Sequence, residues 1–169
     1  CLSKLAKKMD FPLLILRLPN LFGKWSKPNY NSVVATFCHN ISRGLPIVIH
    51  DRRQSIELLY IDDLMELFLD AIQNFFVGQR VIKRFATEKT TVGFLADTIE
   101  NFKHQRKSFL VDNVGSGLLR KLYATYLSFL PEESFCQRLN LHSDSRGSFI
   151  EFVKTKESGQ FSIFTAKPG

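Results

Sequence analysis

Leu16-Arg17-Leu18-Pro19-Asn20-Leu21-Phe22-Gly23-Lys24-Trp25 runs on through Ser26 into Lys27-Pro28-Asn29-Tyr30-Asn31-Ser32. The apolar run Leu13, Leu14, Ile15 and Leu16 just before it reads as a buried strand, and a helical period begins at Val33 just after it. Strand, polar loop and helix in this order point to an α/β sheet, whose ligands bind at loops leaving the carboxyl ends of strands. Pro19, Gly23 and Pro28 break regular pairing, while Arg17, Asn20, Lys24, Lys27, Asn29 and Asn31 crowd hydrogen-bond donors into one loop. Such a loop suits an anionic, hydroxyl-rich ligand. A turn whose asparagines satisfy backbone groups fits the same spacing.

Upstream of the loop, Leu2 to Met9 carries lysines on one side and Leu2, Leu5, Ala6 and Met9 on the other, an amphipathic helix that Asp10-Phe11-Pro12 ends. Downstream, Asn31 or Ser32 caps a helix to about Arg43, with Val33, Phe37 and Ile41 on one stripe, and Gly44 stops it. Pro46 to His50 reads as a short β run, Asp51 to Gln54 as a polar turn and Ile56 to Ile61 as a strand. Asp62-Asp63 then opens a helix with Leu64, Leu67, Phe68, Ala71, Ile72 and Phe75 at helical spacing, two acids that complement its dipole. Gln79 to Phe85 is a further strand. Thr90 or Thr91 caps a helix bearing Val92, Leu95, Ile99 and Phe102 that reaches the polar run 103–108, and Ser116 caps another with Leu118, Leu122, Tyr126 and Leu130.

At Pro131-Glu132-Glu133-Ser134 the texture changes from helical periods to β runs: Arg138 to Leu141, Ser148 to Lys154 and Gln160 to Ala166, with turns at 144–147 and 157–159. Ile150, Phe152, Phe161, Ile163 and Phe164 are its expected core. By themselves Arg146 and Glu151 read as a pair that fixes the turn.

At 169 residues and 44% hydrophobic content, one domain or one and a half is expected. No apolar run is long enough to span a bilayer and no secretory leader opens the sequence, so the expected compartment is the cytoplasm, with no membrane partner. Cys1, Cys38 and Cys136 are too far apart for a disulfide framework, and His39, His50, His104 and His142 share no ligand spacing, so no metal site is assigned. The net charge of +7 is spread among acids on amphipathic elements, which argues against nucleic acid as a partner and leaves room for an anionic nucleotide.

With these elements in place, Arg17-x-Pro19-Asn20-x-Phe22-Gly23 after an apolar strand resembles the substrate loop of extended short-chain dehydrogenases/reductases, the NAD-dependent epimerase/dehydratase family, which act on nucleotide-activated sugars. The longer string through Lys27-Pro28-Asn29-Tyr30-Asn31-Ser32 and Val34-Ala35-Thr36-Phe37-Cys38 resembles the CapF-like enzymes of bacterial capsular polysaccharide. Leu122 to Pro131 is similar to the end of their dehydrogenase domain, and Asp144 to Phe152 to the opening of a cupin.

The resemblance implies an α/β fold: residues 1–130 as the C-terminal, substrate-binding part of an extended Rossmann-type dehydrogenase domain, 131–137 as a linker, and 138–169 as the first β-strands of a cupin barrel. It implies an internal fragment of a bifunctional enzyme that reduces a UDP-linked keto-sugar with NADPH, the cupin epimerising first, on the route to N-acetyl-fucosamine. Such enzymes are expected to be homodimers, with zinc in the cupin. The family's catalytic Tyr-x-x-x-Lys and Gly-rich dinucleotide turn are both absent from these 169 residues, so no catalytic residue is assigned. Pro19 is expected beside the nicotinamide cofactor and Asn20 beside the sugar diphosphate, with Lys27, Asn29, Tyr30 and Asn31 around the sugar or uridine. The superfamily's diphosphate arginine falls here at about Ile56, so Arg52 or Arg53 is expected to grip phosphate instead. A sugar-nucleotide epimerase or dehydratase, or a non-catalytic sugar-nucleotide-binding module, is the rival reading.

Overall fold

The computed structural model describes residues 2–73, 79–82, 85–156 and 159–168. Phe75, the Lys83-Arg84 part of the strand expected to run to Phe85, and the Glu157-Ser158 part of the last turn lie outside them.

Helix α1 (Leu2–Met9) leads into β1 (Leu13–Leu16), which pairs in parallel with β4 (Gln79–Ile82). The polar stretch holds a strand that sequence reading did not anticipate: β2 (Asn20–Phe22) pairs in parallel with β3 (Ser55–Tyr60), Asn20 opposite Leu58 and Phe22 opposite Tyr60. Between them runs α2 (Val33–Ser42), so β2, α2 and β3 form one crossover unit of the kind parallel strands require. Helix α3 (Ile61–Gln73) follows β3 without a break, and β5 (Glu88–Thr91), also unanticipated, pairs antiparallel with β3. Helices α4 (Val92–Ser108) and α5 (Gly117–Ser128) complete this part.

The caps are local chemistry. Ser32 Oγ accepts from the Ala35 N–H at 3.3 Å and Thr91 Oγ1 from the Phe94 N–H at 3.2 Å, each satisfying a donor that a helix start leaves orphaned. Ser116 occupies the N-cap of α5 but makes no side-chain cap bond. Arg43 follows α2, and Gly44, at φ +70, takes the left-handed turn a larger residue would resist.

The core lies where α2, α4 and α5 meet β2 and β3: Phe22, Val34, Phe37, Cys38, Ile41, Leu58, Tyr60, Leu95, Ile99, Phe102, Leu122 and Tyr126 are all buried there. Phe102 meets Tyr123 edge-on at 5.0 Å and tilts against Tyr126 at 5.9 Å.

Two expectations are corrected and one is met. Pro46 to His50 forms no strand: Ile47 and Ile49 pack against the core without entering a ladder. Helix α4 reaches the polar run, as expected, and ends at Ser108, with Gln105 Nε2 donating to Asp112 Oδ2 and Arg106 to the Ser134 carbonyl at 2.6 Å. The Arg138 to Leu141 run is displaced to β6 (Leu141–Ser143).

After a short 3-10 turn at Glu132–Ser134, β6, β7 (Gly147–Lys154) and β8 (Gln160–Ala166) form an antiparallel meander with a bulge at Glu151/Val153. Its expected core is a further correction: Phe161, Ile163 and Phe164 are 69%, 57% and 75% exposed, while Ile150 and Phe152 are half-buried. Nor do Arg146 and Glu151 pair with each other. Arg146 holds Asp144 at 2.7 Å and Lys154 holds Glu151 at 3.3 Å. The meander is stitched to the rest where Leu110 bridges Lys154, with the Val111 N–H on the Lys154 carbonyl at 2.8 Å and the Lys154 N–H on the Phe109 carbonyl at 2.9 Å.

Candidate functional site

Parallel pairing of β2 with β3 brings Phe22 and Tyr60 to the same end, their rings 5.3 Å apart, and the loop 23–32 leaves from that carboxyl end. This is the position at which open α/β sheets bind ligands. Pro19 is half-buried just ahead of β2. Asn20 is exposed, and its Nδ2 donates to the Glu57 carbonyl at 3.3 Å, which fixes the amide against β3.

Beyond Gly23 the loop is held at both ends. Lys24 Nζ lies 3.1 Å from Asp62 Oδ2 and 5.9 Å above the Tyr60 ring. Ser26 Oγ donates to the Gly23 carbonyl at 3.1 Å, and the Trp25 N–H reaches Ser128 Oγ on α5 at 3.4 Å. At the far end the Asn29 N–H donates to Thr36 Oγ1 at 2.9 Å, with Asn29 itself at φ +54, and Ser32 caps α2. Asparagine tolerates the left-handed region better than other residues with side chains, so its presence there has a backbone reason as well as a chemical one. Between the fixed ends, Lys27, Tyr30 and Asn31 are exposed, and Lys27 Nζ sits 5.5 Å above the Tyr30 ring. The structure thus gathers Lys27, Asn29, Tyr30 and Asn31 on one short loop that offers an ammonium, a phenol and amides to solvent, while Asn20 lies at the start of β2 against Glu57.

Arg52 and Arg53 are not gathered with them. They precede the amino end of β3, and a six-residue strand places its two ends roughly 16 Å apart. One Arg52 nitrogen, Nη2, donates to both Asp97 oxygens at 2.7 and 2.6 Å, while the Arg52 carbonyl accepts from the Gly93 N–H at 2.9 Å. Arg52 therefore pins the start of α4. Arg53 gives its N–H to Asp51 Oδ1 at 2.8 Å and is exposed.

Sequence reading missed a charged cluster around Tyr60. Lys121 of α5 lies 2.8 Å from Asp63 Oδ2, 3.8 Å from Glu88 and 6.0 Å from the Tyr60 ring, so two ammonium groups flank one buried phenol. Burial, reinforced by the Asp62 charge, raises the Tyr60 pKa, and the hydrogen bond to Asp62 raises that of Lys24. The pair Asp62-Asp63 was visible as a helix start. Lys121, 58 positions later, carried no signal linking it there.

No group of three or more His, Cys, Asp or Glu side chains that would suit a metal occurs among the described residues, and no described helix is long and apolar enough to cross a membrane.

The chain is similar to known proteins over nearly its whole length. It is 49% identical over 168 residues, 99% of the chain, to the UDP-2-acetamido-2,6-beta-L-arabino-hexul-4-ose reductase of Pseudomonas aeruginosa. The capsular polysaccharide assembling protein CapF from Staphylococcus aureus is 38% identical and superposes with a TM-score of 0.89 over 99% of the chain. The chain spans 45% of the first protein's length and 46% of the second's. At 16% identity, the UDP-glucose 4-epimerase of Thermus thermophilus shares the fold over 76% of the chain and 50% of its own, with a TM-score of 0.59. Residues 1–83 match the NAD dependent epimerase/dehydratase family, and they include β1, the whole crossover unit, the loop and α3. The likeness to that family thus rests on residues 1–83, just under half of the chain.

Proposed function

We propose that the chain forms the sugar-nucleotide-binding part of an NADPH-dependent UDP-keto-sugar reductase of capsular polysaccharide synthesis. The observation that carries this reading is the 49% identity to a UDP-linked hexulose reductase, over a span that takes in the loop, its crossover unit and the terminal meander. Residues 1–130 are then the substrate-binding portion of the dehydrogenase, 131–137 a linker, and 138–169 strands of a cupin.

A ketone reduction needs a hydride, which a nicotinamide cofactor supplies when bound, and a proton donor beside it. These 169 residues contain no Gly-x-Gly-x-x-Gly turn and no Tyr-x-x-x-Lys, so the fit to such a cofactor is confined to Pro19 and the chain's own part is to bind and orient. Asn20, anchored through Nδ2 to Glu57, turns its carbonyl oxygen to a ligand hydroxyl. The Lys27 ammonium meets phosphate charge, the exposed Tyr30 ring meets the uridine, and Asn29 and Asn31 meet the sugar hydroxyls. Arg52 takes no phosphate in this reading, because Asp97 already holds its Nη2 with both oxygens. Arg53 keeps an exposed guanidinium for one, though at the far end of β3.

Calorimetric titration of the chain with UDP tests the reading. Binding is expected, with Lys27→Ala weakening it about tenfold through loss of one charge-assisted contact. The full-length gene product carrying this sequence is expected to oxidise NADPH in the presence of a UDP-linked 4-keto-sugar. Absence of either result overturns the proposal.

A further inference from the structure

The contacts that tie the loop carrying Lys27, Tyr30 and Asn31 to the body differ in kind. Gly23 is buried, and an added Cβ there would stand 2.2 Å from Ile61 Cγ2, so the chain leaves β2 flush against the first residue of α3. One residue later, Lys24 reaches the second residue of α3, Asp62, at 3.1 Å, its side chain 32% exposed and that of Asp62 53% exposed. The Tyr60 ring, buried against Phe22, forms the floor under the ammonium. Trp25 follows at φ +60, with its N–H toward Ser128 Oγ, whose hydroxyl itself donates to the Thr125 carbonyl at 2.7 Å.

Steric contact at Gly23 fixes where the loop begins. The bond at 3.4 Å to Ser128 is long for a hydrogen bond and constrains the loop weakly. Among the described residues, that leaves the Lys24–Asp62 ion pair as the strongest directional tie between β2 and the Asn29–Thr36 bond further along the loop.

We infer that Lys24 and Asp62 are positioning residues, which hold the 27–31 segment in its ligand-ready path without touching the ligand themselves. The inference rests on the proposed sugar-nucleotide reading of that segment. Its physical basis is preorganisation: a loop already held in the bound path gives up less conformational freedom when ligand arrives, and that saving appears as affinity. An ion pair with both partners partly exposed contributes little to global stability. Its loss is therefore expected in ligand affinity and in local motion far more than in melting temperature.

The experiment compares Lys24→Met, Asp62→Asn, the double variant and Lys24→Arg in the full chain, by UDP calorimetry, thermal melting and amide hydrogen exchange. Each single neutralisation is expected to weaken UDP binding about 5-fold, the size of one partly exposed pair. The double variant should be no weaker than the singles, since they remove the same tie. Lys24→Arg should restore most of the affinity. Amides of 25–31 should exchange faster in Lys24→Met while those of Leu58 and Ile99 keep their protection. A purely structural role would lower the melting temperature and quicken core exchange, and that result overturns the inference. Unchanged loop exchange also overturns it, as does quickened loop exchange with unchanged UDP affinity. If the parent chain binds no UDP, the sugar-nucleotide reading falls and takes this role with it, and the exchange data tell that failure apart from a loop that was never tied.

Discussion

Tyr126 shows how far a single side chain can be moved by its surroundings. It is 1% exposed, packed at a tilt against Phe102, and burial pushes its pKa up to about 12 against a partial offset from the Arg106 charge. The neutral phenol is thus the form the folded state favours, whereas an unfolded tyrosine ionises near pH 10. Because the folded pKa is the higher one, the contribution of Tyr126 is fully present below about pH 10 and is lost as pH rises from there toward about 12. A spectroscopic titration of phenolate absorbance should show a last ionisation step near that upper value, coincident with alkaline unfolding. Tyr126→Phe, which keeps the ring contact with Phe102, should remove that step and flatten the alkaline loss of stability. An unchanged titration in the variant would mean that another tyrosine carries the late step, with Tyr60, also raised, the first to examine.

The helices were legible because their ends are written in short-range chemistry. Ser32 and Thr91 each stand one residue before an apolar period, and each caps the helix that follows. Ser32→Ala should therefore cost about 1 kcal/mol, read as a lowered urea midpoint at unchanged slope. The cost should exceed that of Ser116→Ala, since the Ser116 side chain makes no cap bond. Strands were read less well, because a strand exists only through its partner. Ile47-Val48-Ile49 has the composition of a strand but no ladder, whereas Asn20-Leu21-Phe22 has three residues and a polar start yet pairs with β3. The candidate site divides along the same line. Lys27, Asn29, Tyr30 and Asn31 are close neighbours in the chain, so their clustering could be read directly. The Lys24–Asp62 and Lys121–Asp63 pairs join residues 38 and 58 positions apart, and only the packing of α3 and α5 against the β3 end brings them together.

At the scale of the whole molecule, two regions differ in how much apolar surface they remove from water. Around Phe102, Ile99, Leu95, Phe37 and Leu122, three helices close over β2 and β3, and these side chains are at most 3% exposed. In the meander every residue of β8 is exposed, including Phe161, Ile163 and Phe164, and among the described residues β8 pairs only with β7. Opening a segment costs what it buries, so the two regions should not open together. Hydrogen exchange under native conditions should place the amides of α2, α4 and α5 at the highest protection in the protein, with those of β8 exchanging orders of magnitude faster. Amides of β7 should fall between, because one side of the strand meets β8 and its end is stitched to residues 109–111. A single protection level across both regions would mean that the junction at Lys154 couples them into one cooperative unit. In that case Phe109 to Val111, held to Lys154 by two backbone hydrogen bonds, would be the segment to substitute next, since breaking it should split the single transition into two.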